Sequence, residues 1–351
     1  MQSRVSSNIV PIIEPSDLEI DDSIQLGVGG YGRVFKGTWG TKNVAIKRSK
    51  TLVSTEQSLK DLQEEARKHY ALTHPNIVIL YGVSWGPEHY CMVMARMSCS
   101  LRDILSSNTP LSLNHIRRIA RGTIEGICYL HANGIIHRDL TSYNILIDGK
   151  AHPCITDFGL SKMQSEVAQQ TSVVTAGSFV VQGSPRWMAP EIMKNLPCST
   201  LTDIYSFGVI LWELFARQIP FPDADNQDII RRVRRGEREP IPEETPETYA
   251  QIIRACEQQN PIKRPQTARL LANVFRRLKP RETRCEVQIE PDYYKEFIST
   301  TFISNTEDLS RKSAQLGKQG LYKLNAEQRH SGGITNAISA FEKASILPSG
   351  L

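Results

Sequence analysis

Short apolar runs separated by glycine and polar residues fill roughly the first hundred positions of the chain. Runs bounded in this way are typical of β-strands. Between the third and fourth runs, apolar residues recur at helical intervals and predict one helix from about Ser58 to Leu72. The pattern therefore predicts a small β-rich unit that contains a single helix. Its predicted strands lie within Ser23 to Leu26, Gly32 to Gly37, Asn43 to Arg48, Ile77 to Val83 and Tyr90 to Ala95.

Helical spacing replaces this pattern after Leu101. From Leu113 to His131 an apolar stripe repeats every three or four residues, which predicts an amphipathic helix. Thr202 to Phe215 is apolar on almost all sides and predicts a buried central helix, while Thr267 to Leu278 predicts the last helix. The second unit is therefore expected to be helical, larger than the first, and to end near residue 280.

The two ends of the chain carry weaker patterns. Residues 1–17 show no clear periodicity and are predicted to be an N-terminal tail. Residues 281–351 are polar and carry no strong motif, and only 336–344 has the spacing of a short amphipathic helix. A partner-binding or regulatory role for this C-terminal extension is a hypothesis that truncation and partner capture would test.

Composition is that of an ordinary globular protein, with 40% apolar and 23% charged residues among 351. The net charge of +5 is too small to predict nucleic acid binding. The seven cysteines show no metal-ligand spacing and are predicted to be reduced thiols. No apolar run approaches the ~18 residues of a membrane span, and no secretory signal begins the sequence. We therefore expect a cytoplasmic protein, or an effector delivered into a host cytosol.

The segment from His137 to Asn144, followed by Asp157-Phe158-Gly159, carries the clearest chemistry. It supplies two carboxylates and an amide at the spacing used in metal-dependent phosphoryl transfer. In such chemistry Asp139 would accept the proton of an incoming hydroxyl. Asn144 and Asp157 would hold Mg²⁺ against a triphosphate. The segment therefore predicts a phosphotransferase.

Two motifs upstream suit a bound nucleotide. Residues 27–34 satisfy G-x-G-x-x-G-x-V, in which glycines let the backbone close over phosphates, although a plain glycine hairpin has the same pattern. A dinucleotide-binding fold is disfavoured because a strand is predicted to follow. Lys47 ends the tetrapeptide 44–47 and is either an edge lysine or a cleft lysine paired with a helical glutamate. Glu65 is the first candidate partner and Glu64 the second, and a solvated helix face is the alternative for either.

In this order and at this spacing, the motifs resemble the eukaryotic-type protein kinase family, and Ala189-Pro190-Glu191 extends the match. The resemblance covers about residues 18–280. The stretches 74–78, 183–191 and 202–209 resemble the tyrosine-kinase-like group, which mostly phosphorylates serine and threonine. The resemblance implies an α+β bilobal kinase fold, with a small N-lobe at about 18–96 and a helical C-lobe at about 97–280. It also implies ATP and Mg²⁺ as cofactors and protein Ser/Thr hydroxyls as acceptors.

The resemblance assigns roles to single residues. Asp139 is implied to be the catalytic base, Lys47 the phosphate clamp and Glu65 the residue that holds Lys47. Asn144 and Asp157 are implied to be Mg²⁺ ligands. The residues implied to contact the nucleotide are Leu26, Gly27, Val28, Gly29, Gly30, Tyr31, Gly32, Arg33, Val34, Ala45, Lys47, Met94, Ala95 and Met97. Supporting roles are implied for Asp203, which anchors the catalytic loop, for the Glu191 and Arg264 pair, and for His137 beside Phe158.

Two positions after the catalytic aspartate depart from the family. Serine/threonine kinases commonly carry a lysine two residues after it, and tyrosine kinases often an arginine two or four after it. Here those positions are Thr141 and Tyr143. Mg²⁺, Lys47 or another group must then supply part of the charge stabilisation. The missing arginine favours Ser/Thr specificity, whereas residues 185–187 resemble tyrosine kinases. A dual-specificity or tyrosine kinase and a pseudokinase scaffold therefore remain the alternatives.

Two further expectations concern regulation. His69 occupies a position that is usually apolar in kinases, and we expect a neutral, buried histidine there. The predicted activation segment, Ser161 to Gln182, contains hydroxyl residues whose phosphorylation could order it through Arg138. A polar loop with unused hydroxyls is the alternative. The basic run 231–235 is expected to be a solvated helix face rather than a docking surface.

Overall fold

The computed structural model describes residues 9–29, 32–49, 56–85, 90–108, 110–163 and 183–278. Its N-terminal part is an antiparallel sheet of five strands in the order β1-β2-β3-β5-β4, with helix α1, Glu56–Tyr70, packed against β4. This is the β-rich unit with one helix that the sequence predicts. The strands are β1 Leu18–Gly29, β2 Gly32–Trp39, β3 Lys42–Ser49, β4 Leu80–Trp85 and β5 Tyr90–Ala95.

The predicted strand from Ile77 is wrong at its start, because β4 begins only at Leu80. The backbone before it pairs with the second lobe instead. Val78 N donates to the carbonyl oxygen of Ile155 at 3.0 Å, and Ile155 N donates to that of Asn76 at 2.9 Å. These hydrogen bonds form a seam, residues 76–78 with Ile155, that joins the two lobes.

Part of the predicted N-terminal tail packs on the edge of the sheet. Ile13 N donates to Val83 O at 2.8 Å, and Val83 N donates to Pro11 O at 2.9 Å. Ile13 is only 3% exposed. An edge strand such as β4 leaves backbone groups unpaired, and this segment satisfies them on one side. Pro11 and Ile13, which lie within the predicted tail, therefore bond to the edge of the N-lobe sheet.

The C-terminal part is mainly helical, and the α+β bilobal fold expected from the sequence is confirmed. Its helices are α2 Leu101–Ser106, α3 Leu113–Ala132, α4 Pro190–Met193, α5 Thr200–Ala216, α6 Asn226–Arg235, α7 Glu247–Cys256 and α8 Ala268–Arg277. This part also contains short strands: β6 Cys99–Ser100, β7 Ile135–Ile136, β8 Ile145–Ile147, β9 Pro153–Ile155 and β10 Lys162–Met163. Short 3₁₀ turns lie at Pro15–Asp17, Pro185–Trp187 and Pro261–Lys263.

Helix α5 runs through the centre of this lobe and is buried at every position from Thr202 to Leu214. Its nearly all-apolar sequence explains this placement, since a helix without a polar face can bury its whole circumference. Ser199 and Thr202 form a capping box that fixes its first turn. Among the described helices, none has both the length and the apolar character needed to cross a bilayer. Most of the predicted activation segment and the predicted helix at 336–344 lie outside the described residues.

Candidate active site

A cavity of about 770 Å³ lies between the sheet and the helical lobe. This volume is within the range of small-molecule and cofactor pockets. Many residues predicted to contact nucleotide line it: Leu26, Gly27, Gly32, Val34, Ala45, Lys47, Met94, Ala95 and Met97. Val28 and Gly29 end β1, Gly30 and Tyr31 lie outside the described residues, and Arg33 is an exposed residue of β2. Arg33 is not among the lining residues of the described cavity.

Sequence reasoning missed several lining residues, including Val78, Leu146 and Thr156. Leu146 lies on β8 between Ile145 and Ile147, which are both buried. Since side chains alternate along a strand, Leu146 points the other way, into the cavity. The alternation of side-chain direction along β8 was a signal that could have identified Leu146 as a lining residue. Val78 lies in the seam, where strand prediction failed, so no such pattern applied to it.

Lys47 connects three parts of the fold. Its Nζ lies 2.8 Å from Glu65 Oε1 on α1 and 2.9 Å from Asp157 Oδ1 of the second lobe. Burial alone would lower the pKa of Lys47, but the two carboxylates outweigh burial and raise it. Burial would likewise raise the pKa of Asp157, but Lys47 outweighs burial and lowers it. All three groups lie at the cavity wall, so an ammonium and a carboxylate face one ligand space.

Asp139 lies at the centre of the catalytic loop, residues 137–144. Its Oδ1 accepts from Ser184 N at 3.1 Å, and the Asn144 side-chain nitrogen donates to its carbonyl oxygen at 2.8 Å. Burial raises the pKa of the Asp139 carboxyl. Gly183, at φ +106, packs beside it, and a Cβ there would lie 3.3 Å from Asp139 Oδ1. The base candidate is thus held by the segment that follows the predicted activation loop.

Asp203 of α5 anchors the backbone of the catalytic loop. Its carboxylate accepts from His137 N and Arg138 N, both at 2.9 Å, and contacts His131 Nε2 at 2.8 Å. Burial alone would raise the pKa of Asp203, but the hydrogen bond from His131 helps to lower it. Arg138 has φ +72, an uncommon conformation for a residue with a side chain. The two bonds from Asp203 hold the loop in that conformation.

Three aromatic rings pack together at the cavity, where His69 forms part of the wall. The ring of Phe158 lies 4.6 Å from that of His69 and 5.3 Å from that of His137. His69 Nε2 lies 2.7 Å from Val78 O, so the ring donates there. Burial lowers the pKa of His69 to about 4. His69 is therefore the neutral, buried histidine expected from the sequence.

The family model for protein tyrosine and serine/threonine kinases matches residues 20–274. The chain belongs to the protein kinase family. Similar proteins include mitogen-activated protein kinase kinase kinase 10 of Xenopus laevis, 35% identical over 271 residues. Others are mitogen-activated protein kinase kinase kinase 12 of Rattus norvegicus, at 34% over 259 residues, and serine/threonine/tyrosine-protein kinase HT1 of Arabidopsis thaliana, at 32% over 252 residues.

These matches cover only part of the length of each relative. They span 72%, 73% and 70% of this chain, but 26%, 27% and 63% of the respective relatives. The chain therefore spans less than two thirds of the length of these proteins. Relatives of this kind agree with the resemblance to the tyrosine-kinase-like group.

The two unusual positions of the catalytic loop have different surroundings in this kinase domain. Thr141 is buried, and its hydroxyl oxygen lies 3.2 Å from both Tyr143 N and Asn144 N, so it shapes the turn. Tyr143 is 51% exposed and meets the ring of Trp187 edge-on at 5.9 Å. Neither side chain is cationic. Within the described part of the cleft, Lys47 is the cation that touches a proposed metal ligand.

A buried ion pair supports the segment that carries Ser184 in the kinase domain. Arg264 donates to both oxygens of Glu191 at 2.7 Å, in a bidentate geometry. Arg264 also donates to the carbonyl oxygen of Leu201, at the start of α5. Short helix α4 and central helix α5 are thereby joined. The sequence expectation for this pair agrees with the observed contact.

Proposed function

We propose that the chain is a protein kinase that transfers the γ-phosphoryl group of Mg·ATP to serine or threonine hydroxyls of proteins. One observation carries the proposal: Lys47 contacts both Glu65 and Asp157 at the wall of a nucleotide-sized cavity. This arrangement joins both lobes around one ligand space. A binding scaffold has no need for the catalytic loop beside it, in which Asp139 and Asn144 are hydrogen-bonded to each other.

The residues present fit a magnesium nucleotide. Mg²⁺ prefers oxygen ligands and is usually held by one or two carboxylates together with substrate phosphates and water. Asp157 and Asn144 offer a carboxylate and an amide oxygen, and both line the cavity. Within the described residues no group of three or more acidic, histidine or cysteine side chains forms a complete protein site. When bound, Mg²⁺ would neutralise charge on the phosphates.

The protein side chains then have distinct tasks. Lys47, oriented by Glu65, would hold phosphate oxygens in place. Asp139 would orient the acceptor hydroxyl and take its proton, with Ser184 N fixing the carboxylate. The Asn144 amide is oriented by its bond to the Asp139 backbone. Positioning and electrostatics of this kind supply most of the catalysis in phosphoryl transfer.

Substitution of the proposed base and the proposed metal ligand tests the assignment. We expect Asp139→Asn and Asp157→Ala each to reduce phosphoryl transfer from Mg·ATP to a protein acceptor by about 10²-fold or more, because each removes a group used in the transition state. Asp223→Asn, at an exposed aspartate, is the matched control and should retain activity. Equal activity in all four proteins would contradict the proposal. Nucleotide binding without transfer by the unchanged chain would favour a pseudokinase.

Acceptor specificity and location are further parts of the proposal. The names of the relatives include serine/threonine kinases and one serine/threonine/tyrosine kinase. We propose serine and threonine as acceptors, and a positional peptide library that returned only tyrosine would contradict this. We also propose a reducing, cytosolic location, because no disulfide joins the described cysteines. A regulatory or partner role of residues 281–351 remains a proposal that truncation tests.

A further inference from the structure

A fully buried carboxylate lies on the acceptor side of the cleft, outside the groups used above. Glu213 of α5 is 0% exposed. Its Oε1 accepts from Arg102 Nη1 at 3.0 Å and from Ser142 Oγ at 2.8 Å, and its Oε2 accepts from Trp187 Nε1 at 2.7 Å. A buried charge is costly unless it is paired and hydrogen-bonded. A carboxylate held by three donors from three different elements is therefore a specific arrangement.

The three donors belong to parts of the molecule that meet the acceptor. Ser142 lies three residues after Asp139 in the catalytic loop. Trp187 ends the segment 183–187, which we call the acceptor platform because Ser184 N bonds the Asp139 carboxylate. A peptide that brings its hydroxyl to Asp139 comes next to this platform, because Ser184 N bonds that carboxylate. Arg102 comes from α2, and its backbone N also donates to Ser142 O at 2.9 Å.

We propose that Glu213 is a positioning residue that fixes the acceptor platform against the catalytic loop, and that it does so only while ionised. This inference rests on the proposed kinase function. A carboxylate accepts from all three donors at once, whereas a protonated carboxyl carries an O–H that faces donors. Protonation must therefore reverse the Ser142 bond or displace Arg102 or Trp187, since of the three partners only the Ser142 hydroxyl can also accept. It also leaves the Arg102 guanidinium without its buried counter-charge.

The protonated form is accessible near neutral pH. Burial raises the pKa of Glu213 to about 7, against the opposing effect of its bonds from Trp187, Ser142 and Arg102. Arg102 is the charged group that faces Glu213, while Ser142 and Trp187 are neutral donors. We therefore expect acceptor binding to weaken as the pH falls through about 7. Nucleotide binding should change little, because Glu213 is not among the residues that line the described cavity.

Steady-state kinetics of the full chain between pH 6 and pH 8.5 test the inference. For Glu213→Gln we expect the KM for the acceptor peptide to rise about tenfold, the effect of one lost hydrogen bond to a charged group. The KM for ATP should stay within about twofold of wild type, since no nucleotide contact is lost. The fall in kcat/KM for the peptide below about pH 7 should be present in wild type and reduced in the variant. Protonation of ATP and of other groups of the enzyme affects wild type and variant alike. The difference between the two pH profiles therefore reports on Glu213.

Two further variants separate positioning from general stability. In Glu213→Gln the amide oxygen can serve Arg102 and Ser142, but the amide nitrogen opposes the Trp187 N–H. Adding Trp187→Phe removes that N–H, so the double variant should recover part of the loss. Glu257→Gln is the matched control, because burial also raises the pKa of Glu257 to about 7 while its ion-pair partner is Arg238, which is not a partner of Glu213. It should behave as wild type.

A readout independent of catalysis separates failure of this inference from failure of the proposed function. The NMR shift of the Trp187 Nε1 proton should titrate with a midpoint of about 7 and lose that titration in Glu213→Gln. If Glu213→Gln does not fold, Ser142→Ala and Trp187→Phe provide the test. Each removes a donor to the Glu213 carboxylate and so raises its pKa, and the fall in kcat/KM for the peptide at low pH should begin at a higher pH. The inference would be overturned if Glu213→Gln kept the KM for the acceptor peptide and the pH profile of the wild type. It would also be overturned if the effects of Glu213→Gln and Trp187→Phe simply added in the double variant.

Discussion

A single neutral side chain, His69, occupies the contact between α1 and Phe158. Its ring packs 4.6 Å from Phe158 and donates to Val78 O, where an apolar residue would only pack. The bond satisfies the imidazole N–H inside the protein, so a polar ring is tolerated in a buried position. Burial disfavours the protonated ring and Lys47 nearby repels it, while Asp157 offsets only part of this effect. This residue therefore ties the stability of the kinase domain to pH.

Replacing His69 should remove acid sensitivity. The folded-state pKa of about 4 lies below the ordinary 6.5, so the unfolded chain binds the proton more tightly. Stability from the neutral ring is complete above pH 6.5 and is lost as the pH falls towards 4. The loss by pH 4 is about 3 kcal/mol, at ~1.4 kcal/mol for each unit of pKa difference. Urea unfolding of wild type and His69→Leu at several pH values measures it. Parallel pH profiles for the two proteins would contradict the prediction.

At the scale of elements, the β1–β2 hairpin depends on glycines for two different reasons. A Cβ on Gly32 would collide with the backbone carbonyl of Arg48 on β3, whereas a Cβ on Gly27 would meet nothing within 4 Å. Gly32 is therefore required by strand packing, before any ligand binds. Gly27 faces the cavity, so its small size matters only when a ligand occupies that space.

Alanine substitution distinguishes the two glycines. Gly32→Ala forces β2 and β3 apart and should lower the free energy of unfolding by about 1–3 kcal/mol, as overpacking commonly does. Gly27→Ala should stay within about 0.5 kcal/mol of wild type, because it adds a methyl group to open space. Chemical denaturation of both variants measures the difference. The opposite order of stabilities would show that strand packing does not restrict Gly32.

An element could be predicted from the sequence when its hydrogen bonds are local, and not when its partners are distant along the chain. Helix α5 was predictable because its residues are apolar all round and its capping box is local. Ile77 to Ile79 were predicted as strand because apolar runs look alike whether they join a sheet or a seam. Glu213 was missed for a similar reason: its three partners are distant in sequence, and a glutamate in an apolar helix gives no local sign of them. Motif order predicted Lys47, Asp139 and Asp157 as site residues, because each lies in a short family pattern.

At the scale of the whole molecule, the seam between the lobes depends on one buried amide. Asn76 Nδ2 donates to Pro153 O at 2.8 Å, and its backbone accepts from Ile155 N. Gly122 and Gly126 of α3 leave room for Asn76, since a Cβ at either position would lie within 3 Å of its atoms. Two parts of the second lobe, β9 and α3, thus close around a residue that precedes β4.

Loss of this amide should loosen the seam. Asn76→Ala leaves the buried carbonyl of Pro153 without its donor, which costs about 1–3 kcal/mol. We expect faster amide hydrogen exchange at Val78 and Ile155, the residues whose backbone bonds form the seam. Asn133→Ala is the matched control, because that exposed amide bonds only the local carbonyl of Tyr129. Unchanged exchange at both amides in Asn76→Ala would contradict the prediction.

The position of the seam determines how far each strand can travel when the lobes rotate. The seam adjoins β4 at one edge of the sheet, and β1 is at the opposite edge, four strand spacings away. At ~4.8 Å for each spacing, β1 lies about 19 Å from this axis. A rotation of the sheet by ~10° would move β1 by about 3 Å and β3, two spacings nearer, by about half as much. Such a rotation would thus displace the glycine hairpin about twice as far as Lys47 on β3.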